Sequence, residues 1–300
     1  MTALHWYVLF VYFGFTLIAT LLALANRWTK PKSNGEGVWR KYPTYILINL
    51  FFLAATWSPP SWHALTILLA VLSALASWEI VRGLFQSVQT SISNIFLSCA
   101  TFALIVVADF VDTTIWFNVW LAALMVFIAI TTLIGKPVEY ARRALALAGC
   151  IIYLPICLAT YLWIQHSDPS GFHAAFLYLV VATNDAMAQI TGELFGARPL
   201  VPHISPSKTI EGALGGIIFA GAMGMALSSS VEWSYVTGII MGLALGLSAL
   251  FGDLTASAWK RALGLKNFSA LLGAQGGVLD RFDSLIFAAP VFYLLLVIAF

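Results

Sequence analysis

Long apolar runs separated by short polar breaks are the feature that most constrains the fold of this chain. A helix that crosses the hydrocarbon core of a bilayer needs about 20 mostly apolar residues, and an irregular backbone finds no hydrogen-bond partner in lipid. Apolar residues make up 61% of the chain and charged residues 9%, a balance that excludes a soluble globular protein. The sequence therefore predicts an all-α, polytopic integral membrane protein.

The chain contains ten such runs, which predicts nine or ten transmembrane helices. The second run is short and stops at Ser58-Pro59-Pro60, so the number is nine if this segment does not cross the membrane completely. The ten predicted spans are residues 7–25, 43–57, 62–79, 92–108, 114–134, 144–164, 172–190, 210–229, 235–256 and 284–300.

The basic residues predict the orientation of these helices. All 15 Lys and Arg residues fall on alternate loops between the predicted spans. Because basic loops stay on the cytoplasmic side of a membrane, both termini are predicted on the non-cytoplasmic side. The 13 acidic residues bring the net charge to only +2, and so sparse and balanced a charge argues against nucleic acid as a partner.

The distribution of polar residues divides the chain into two regions of a single membrane domain. Residues 1–165, the N-terminal transmembrane region, carry few special features apart from aromatic residues at the ends of spans. Residues 166–300 concentrate the acidic, basic and Gly-rich motifs and are predicted to be the catalytic transmembrane region. Within them, Gly238, Gly242 and Gly246 recur every four residues and predict a face for close helix packing.

Asp185 interrupts an otherwise apolar predicted span. An ionisable residue in a membrane helix is costly unless it is paired or faces water, so Asp185 is a functional candidate, and a structural hydrogen bond between helices is the alternative. The next basic loop holds Ser205, Lys208 and Thr209 directly before a predicted helix start. Free backbone N–H groups and the helix dipole favour a phosphate there, although Ser207 or Thr209 could simply be an N-cap.

Three further carboxylates flank the last basic loop. Asp253 shares a helix face with Ser257 and Lys260, while Asp280 and Asp283 stand three residues apart after a Gly-Gly pair. Carboxylates in such an arrangement can hold Mg²⁺ jointly with the phosphates of a substrate. Acids for a metal and cations for phosphates on one membrane face predict metal-assisted phosphoryl or nucleotidyl transfer at the lipid interface.

These segments resemble the integral-membrane phosphatidate cytidylyltransferases, the CDP-diacylglycerol synthases. The resemblance is specific over about residues 183–290 and only compositional before them. The family signature appears here as Ser257-Ala-Trp-Lys260-Arg261, Lys266-Asn267 and Gln275-Gly276-Gly277-Val-Leu-Asp280-Arg281-Phe-Asp283. Upstream parts of the family pattern match Asp185, Gly192, Phe195-Gly196, Ser205-Pro206-x-Lys208-Thr209 and Gly252-Asp253. Two positions depart from the signature, because Asn267 replaces an acid and Gln275 replaces a histidine.

The resemblance implies transfer of CMP from CTP to phosphatidate or a similar lipid phosphate, which forms CDP-diacylglycerol and releases pyrophosphate. It also implies an enzyme of phospholipid biosynthesis in a bacterial cytoplasmic (inner) membrane, with its active site facing the cytoplasm, a homodimeric state, and Mg²⁺ or another divalent cation as cofactor. By the same resemblance, the expected metal ligands are Asp253, Asp280 and Asp283. The expected catalytic residues are Asp253, Lys260, Arg261, Asp280 and Arg281. The expected substrate-binding residues are Asp185, Ser205, Lys208, Thr209, Ser257, Lys266, Gln275, Gly276 and Gly277.

Two other functions stay open on the residues alone. One is a CTP-dependent kinase that acts on a polyprenol-type lipid alcohol, which would release CDP instead of pyrophosphate. The other is a non-catalytic transporter or lipid-binding relative that uses Asp185 as a proton or ion site. The second alternative predicts that Asp280 and Asp283 tolerate substitution while Asp185 does not.

Overall fold

The computed structural model describes residues 2–29, 36–85, 91–134, 148–273 and 276–299. Within these residues the chain folds into ten α-helices and one short β-hairpin. The helices are α1 (Ala3–Thr29), α2 (Glu36–Thr56), α3 (Ala64–Phe85), α4 (Ser91–Phe110), α5 (Thr113–Ile134), α6 (Leu154–Ser167), α7 (Phe172–Phe195), α8 (Ile210–Leu227), α9 (Tyr235–Ala262) and α10 (Leu279–Ala299). A π-helical turn, Ala148–Tyr153, leads into α6. Strands β1 (Pro199–Val201) and β2 (Ser205–Thr209) pair antiparallel between α7 and α8.

The predicted class, an all-α polytopic membrane protein, is confirmed, and each predicted span overlaps one described helix. Five helical segments in the described part of the chain are long and apolar enough to cross a membrane: Ala3–Leu24, Ala64–Leu84, Ile210–Val231, Tyr235–Ala262 and Leu279–Ala299. The apolar part of α2 is the shorter segment Thr44–Thr56, so its complete crossing stays a prediction. The orientation of the termini also stays a prediction.

Two helix ends differ from the prediction in a way that concerns the polar motifs. Helix α9 continues to Ala262 instead of ending near residue 256, with Lys260 and Arg261 in its last turn, where cations favour the negative end of the helix dipole. Helix α10 begins at Leu279 instead of residue 284, with Asp280 in its first turn. Most charged side chains of these motifs therefore belong to helices and not to a long loop: Asp253, Lys260, Arg261, Asp280, Arg281 and Asp283.

Glycines allow α8 and α9 to approach each other closely. A Cβ atom at Gly224 would lie 2.2 Å from the carbonyl oxygen of Gly238, and one at Gly242 would lie 2.4 Å from that of Ala220. A Cβ at Gly246 would meet the Cβ of Ala220 at 2.9 Å. The close-packing face predicted from the glycine spacing is thus confirmed.

Helix α7 packs on the other side of α8 by the same means. A Cβ at Gly212 would lie 2.7 Å from the carbonyl oxygen of Ala188, and one at Gly216 would lie 2.8 Å from that of Asn184. The backbones of α7, α8 and α9 are therefore in near contact. This packing brings the acidic residues of α7 and α9 into the same part of the bundle.

The N-terminal and C-terminal regions share one hydrophobic core. The ring of Phe52 on α2 stacks on Tyr178 of α7, with centroids 4.1 Å apart and planes 4° from parallel. Phe176 of α7 stacks in turn on Phe292 of α10 at 5.7 Å. This apolar core continues from α1 to α10. The helices of the N-terminal region therefore pack against the C-terminal helices that carry the polar motifs.

Polar contacts connect the helices at the end of the bundle where α7 begins. Because the β-hairpin follows the other end of α7, this end is called here the opposite end. The Asp109 carboxylate at the end of α4 lies 2.5 Å from His63 Nδ1 and 2.9 Å from His166 Nε2. It therefore links the turn before α3 to the end of α6. Asp168, in the turn between α6 and α7, accepts hydrogen bonds from the backbone N–H groups of Ser170 and His173 at 3.0 and 2.9 Å.

Candidate active site

A cavity of about 570 Å³ lies between α1, α7, α8, α9 and α10, at the end of the bundle that carries the β-hairpin. One wall is largely apolar and comes from α1, with Tyr12, Phe15 and Ala19. The other walls carry the charged side chains. The predicted site residues that line the cavity are Asp185, Lys208, Thr209, Asp253, Asp280, Arg281 and Asp283. The structure thus collects charges from four separate sequence segments around one space that also has an apolar side.

Three carboxylates from three helices converge in this cavity. Asp283 of α10 has Asp253 of α9 and Asp185 of α7 among its electrostatic neighbours, together with Lys260 and Lys208. The Asp283 side chain is buried, and its Oδ1 atom accepts a hydrogen bond from the backbone N–H of Ser284 at 2.8 Å. Its Oδ2 atom is buried without a hydrogen-bond partner in the part of the chain that the structure describes.

Neighbouring side chains hold the other two carboxylates. Asp185 Oδ1 accepts hydrogen bonds from Ser284 Oγ at 3.1 Å and from Asn184 Nδ2 at 3.3 Å. Asp253 forms an ion pair with Lys208 from the end of β2. Asp185 and Asp253 thus have partners of their own, and both line the same cavity as Asp283.

The donor chemistry of these side chains fits a divalent cation such as Mg²⁺. Mg²⁺ prefers oxygen ligands and is commonly held by one or two carboxylates plus the phosphates of a substrate. Three mutually repelling carboxylates and the unsatisfied Asp283 Oδ2 atom favour a cation at this position. Among the described residues, no group of three or more acidic, His or Cys side chains is arranged to hold a metal by itself.

Asp280 is bonded differently from the other acids of the site. Its Oδ1 atom lies 2.7 Å from Lys260 Nζ, and its Oδ2 atom accepts hydrogen bonds from the backbone N–H groups of Phe268 and Gly277, both at 2.9 Å. Both oxygens are therefore engaged in holding the loop between α9 and α10. The geometry gives Asp280 a structural role, and its predicted role as a metal ligand stays a prediction.

The cation Arg281 lies against α2. Its guanidinium carbon is 4.6 Å from the centroid of the Tyr45 ring, and Asp185 and Asp283 are among its electrostatic neighbours. Tyr45 is fixed in turn, because its hydroxyl donates a hydrogen bond to the Ala182 carbonyl oxygen at 2.6 Å. A cation over an aromatic face is a favourable arrangement in a desolvated site. Arg281 is thereby held beside the acids, within the cavity.

Residues 39–299 match the family described as Cytidylyltransferase family. The chain belongs to the cytidylyltransferase family. It is thus a CTP-dependent nucleotidyltransferase of the membrane, and the resemblance drawn from the spaced motifs is confirmed at the level of the family.

Individual relatives agree with the family but cover the chain to different extents. The Escherichia coli (strain K12) protein named "Uncharacterized protein YnbB" is 28% identical over 295 residues, which are 94% of this chain and 94% of that protein. The phosphatidate cytidylyltransferase of Aquifex aeolicus is 36% identical over 146 residues, 49% of this chain and 55% of that protein. That of Staphylococcus aureus (strain COL) is 33% identical over 153 residues, 50% of this chain and 59% of that protein. The chain therefore spans little more than half the length of these two relatives.

Several predicted substrate-binding residues of this cytidylyltransferase have structural roles. Thr209 is the N-cap of α8, since its Oγ1 atom accepts a hydrogen bond from the Gly212 N–H at 3.1 Å. This is the alternative that the sequence left open, although Thr209 also lines the cavity. Ser205 is buried in β2, and Ser257 Oγ lies 3.5 Å from Asp253 Oδ1. Ser257 thus contacts Asp253, one of the predicted metal ligands.

Other predicted residues that the structure describes lie outside the cavity lining. Arg261 donates hydrogen bonds to the carbonyl oxygens of Ile204 and Leu265 at 3.0 and 2.9 Å, so it ties the β-hairpin to the loop after α9. Lys266 is exposed in that loop. Gly276 has φ +85°, a conformation that favours glycine. Gln275 lies outside the described residues.

Sequence reasoning missed Glu79, a fully buried acid on α3. Its Oε1 atom accepts hydrogen bonds from Ser269 Oγ at 2.6 Å and from the Val278 N–H at 2.8 Å. Its Oε2 atom accepts one from the Leu279 N–H at 2.8 Å. The signal that could have found Glu79 is the one applied to Asp185, an ionisable residue at the end of an apolar span.

Proposed function

We propose that this cytidylyltransferase transfers CMP from CTP to phosphatidate or a similar lipid phosphate. The observation that carries the proposal is the cavity itself, which joins an acidic and basic site to an apolar wall on α1. The charged phosphates of a nucleoside triphosphate need the polar side of the cavity, and the acyl chains of a lipid need the apolar side. Matches of 33–36% identity to phosphatidate cytidylyltransferases over about half of the chain support the choice of acceptor.

In the proposed reaction, an oxygen of the lipid phosphate attacks the α-phosphorus of CTP. The new P–O bond joins the lipid phosphate to CMP, and the bond between the α-phosphorus and the bridging oxygen breaks, so that pyrophosphate leaves with the electron pair. The attacking oxygen is already ionised, so a strong general base is not required. Catalysis then depends on positioning and charge stabilisation.

Different residues of the cavity would bind the cation, contact the phosphates and orient these groups. Asp253 and Asp283 would hold the divalent cation, which when bound neutralises charge on the CTP phosphates. Arg281, held against Tyr45, would stabilise the developing charge on the lipid phosphate or on the triphosphate. Lys208 would exchange its ion pair with Asp253 for a phosphate contact. Asp185 would orient Ser284 and Arg281 from the deeper side of the cavity.

The location follows from the same proposal. CTP is a cytoplasmic nucleotide, so the site would face the cytoplasm from the inner membrane of a bacterium, as the basic loops predict. The CDP-lipid product would stay in the bilayer, while pyrophosphate would leave to water. A reaction that consumes a CDP-lipid in phospholipid synthesis would follow.

The test is the fate of two labels in purified protein in detergent or nanodiscs. CTP labelled at the α-phosphate should transfer its label to the lipid fraction in the presence of phosphatidate and Mg²⁺, whereas a label at the γ-phosphate should appear in pyrophosphate. Asp253→Asn and Asp283→Asn should strongly reduce the transfer at a Mg²⁺ concentration that saturates the wild type, and Ser167→Ala at the opposite end should not. A γ-label in a polyprenol acceptor would instead establish a kinase. Folded protein that labels none of several lipid phosphates would refute the proposal.

A further inference from the structure

Glu79 combines full burial with a position far along the chain from the family motifs. It lies on α3, in the N-terminal region, and has none of its surface exposed. A buried carboxylate in a membrane helix is costly unless hydrogen bonds or charges satisfy it. Here three neutral donors from the segment 269–279 satisfy it, and two of them are backbone N–H groups at the start of α10. The positive end of the α10 dipole adds to this stabilisation.

Gly277 shows how closely Glu79 approaches this segment. A Cβ atom at Gly277 would lie 2.5 and 2.7 Å from the two carboxylate oxygens of Glu79 and 2.8 Å from its Cδ. No side chain larger than hydrogen fits between them. The contact with Glu79 is therefore enough to explain why this position of the motif is a glycine, and no contact with a substrate is needed to explain it.

A second carboxylate holds the same turn from the other side. Asp280 Oδ2 accepts the Gly277 N–H, while Glu79 accepts those of Val278 and Leu279. Three consecutive backbone donors are thus fixed by two acids that belong to different helices. The first turn of α10, which carries Arg281 and directly precedes Asp283, is therefore held on one side by Glu79 of α3 and on the other by Asp280, which is paired with Lys260.

We propose that Glu79 is a positioning residue of the active site, which fixes the first turn of α10 and thereby sets Asp283 and Arg281 against Asp253. The proposal rests on the proposed function, because those three residues are the ones assigned to the cation and the phosphates. It gives the N-terminal region, which lacks the family motifs, a direct part in the geometry of catalysis. A displacement of about 1 Å at a reacting centre can cost about 100-fold in rate.

The first experiment compares Glu79→Gln with Ser77→Ala. Glutamine keeps the size of the side chain but presents an NH₂ group to one of its N–H donors, so one backbone N–H at the start of α10 loses its acceptor. Ser77 lies on the same helix, is buried, and donates a hydrogen bond to Thr101 Oγ1 of α4 at 3.0 Å, so it is the matched control. Glu79→Gln should lower kcat about 10- to 100-fold with little change in KM for CTP. Ser77→Ala should keep kcat within about twofold at a comparable melting temperature.

A purely structural role would lower kcat only in proportion to the loss of folded protein. An unchanged kcat in Glu79→Gln, or a loss that equals the loss of folded protein, would therefore overturn the proposal. Hydrogen exchange gives a second readout. Amides of the segment 276–285 should exchange faster in Glu79→Gln than in the wild type, while those of α5 and α6 should be unchanged.

The second experiment uses Gly277 to test the contact directly. Gly277→Ala should lower kcat in the wild-type background because its Cβ displaces the Glu79 carboxylate, and should add no further loss in a Glu79→Ala background. A loss of the same size in both backgrounds would contradict the proposal, because Gly277 would then act without Glu79.

The two proposals can fail separately. If the wild-type protein makes no CDP-lipid, the proposed function fails, and exchange at residues 276–285 in Glu79→Gln still decides whether Glu79 holds the turn. If the wild type is active and both variants behave as the control does, the role of Glu79 fails and the proposed function stands.

Discussion

The carboxylate of Asp280 accepts a hydrogen bond from the ammonium of Lys260 at 2.7 Å, and the two side chains are only 6% and 11% exposed. The resemblance to the family implied that one of them binds metal and the other phosphate, yet here they neutralise each other. The two acids of the Asp-Arg-x-Asp motif therefore differ in their surroundings. Asp280 has both oxygens engaged, whereas Asp283 has an oxygen without a partner among the described residues.

This difference predicts different responses to Mg²⁺. Asp253→Asn and Asp283→Asn should raise the Mg²⁺ concentration for half-maximal activity at least about tenfold, since they remove proposed ligands. Asp280→Asn should lower the maximal rate while leaving the Mg²⁺ requirement within about threefold, because it disturbs the loop and not the cation. Titration of activity with Mg²⁺ measures both quantities. An Asp280→Asn variant that shows the larger Mg²⁺ shift would assign Asp280 to the cation.

The ion pair also predicts a rescue of stability. Asp280→Asn leaves the Lys260 ammonium buried without its anion, which should cost about 3–5 kcal/mol in the free energy of unfolding. Adding Lys260→Met should recover more than half of that loss, because the uncompensated charge is removed. Unfolding in mixed micelles with increasing SDS measures these free energies. Equal stability of the single and double variants would show that the pair is not coupled, and activity should stay low in both.

The fold class could be predicted from the sequence because its determinant is local. Each span needs only about 20 apolar residues in a row, and the lipid leaves the helix as the conformation that satisfies their backbone. The glycine spacing of α9 was equally local, and Gly242 does contact Ala220 of α8. The predicted end of α9 is about six residues too early because the last turns of this helix are polar. An apolar run marks only the apolar part of a helix, so it does not show where a helix with polar last turns ends.

Contacts between distant segments could not be predicted in this way. Glu79 and Val278 are far apart in the chain, and only the packing of α3 against α10 brings them together. The motif identified Asp280 but not its partners, because a carboxylate near a Gly-Gly turn can bind a cation or backbone N–H groups equally well. The choice between those roles depends on the position of Lys260, which the end of α9 sets.

The contact between Arg281 and Tyr45 predicts a graded effect of two substitutions. Tyr45→Leu removes the aromatic face under the guanidinium, 4.6 Å from the ring centroid, and should lower kcat/KM for the lipid substrate about tenfold. Tyr45→Phe keeps the face and removes only the hydroxyl that donates to Ala182, so its loss should be clearly smaller. Steady-state kinetics at saturating CTP separates the two. A larger loss in Tyr45→Phe would assign the effect to the hydroxyl.

The glycine contacts predict where a single methyl group is tolerated. Gly242→Ala would place a Cβ 2.4 Å from the Ala220 carbonyl oxygen, which should separate α8 from α9 and cost about 1–3 kcal/mol. The same change at Gly14 of α1, which has nothing within 4 Å of the added atom, should be neutral or slightly stabilising. Thermal unfolding in detergent compares the two variants. Equal melting temperatures would contradict the close packing of these helices.

Asp168 at the opposite end predicts a pH dependence of stability. Burial alone would raise the pKa of Asp168, but hydrogen bonds from His173 and Ser170 outweigh it and hold the pKa well below its usual value. A lowered pKa means that the ionised carboxylate stabilises the folded protein at any pH above the unfolded pKa of about 3.9. That contribution is lost as the pH falls below about 4 toward the pKa of the folded state.

Asp168→Asn should therefore lower the melting temperature at pH values well above about 4, and the difference from the wild type should shrink below about pH 4. Ser170→Ala, which removes one hydrogen bond and keeps the carboxylate, should cause a smaller loss with the same pH profile. Cytidylyl transfer should be little changed in both folded variants, because Asp168 lies at the end of α7 away from the cavity. A difference in melting temperature that grows as the pH falls would mean that the carboxylate is stabilised in its protonated form, contrary to these contacts.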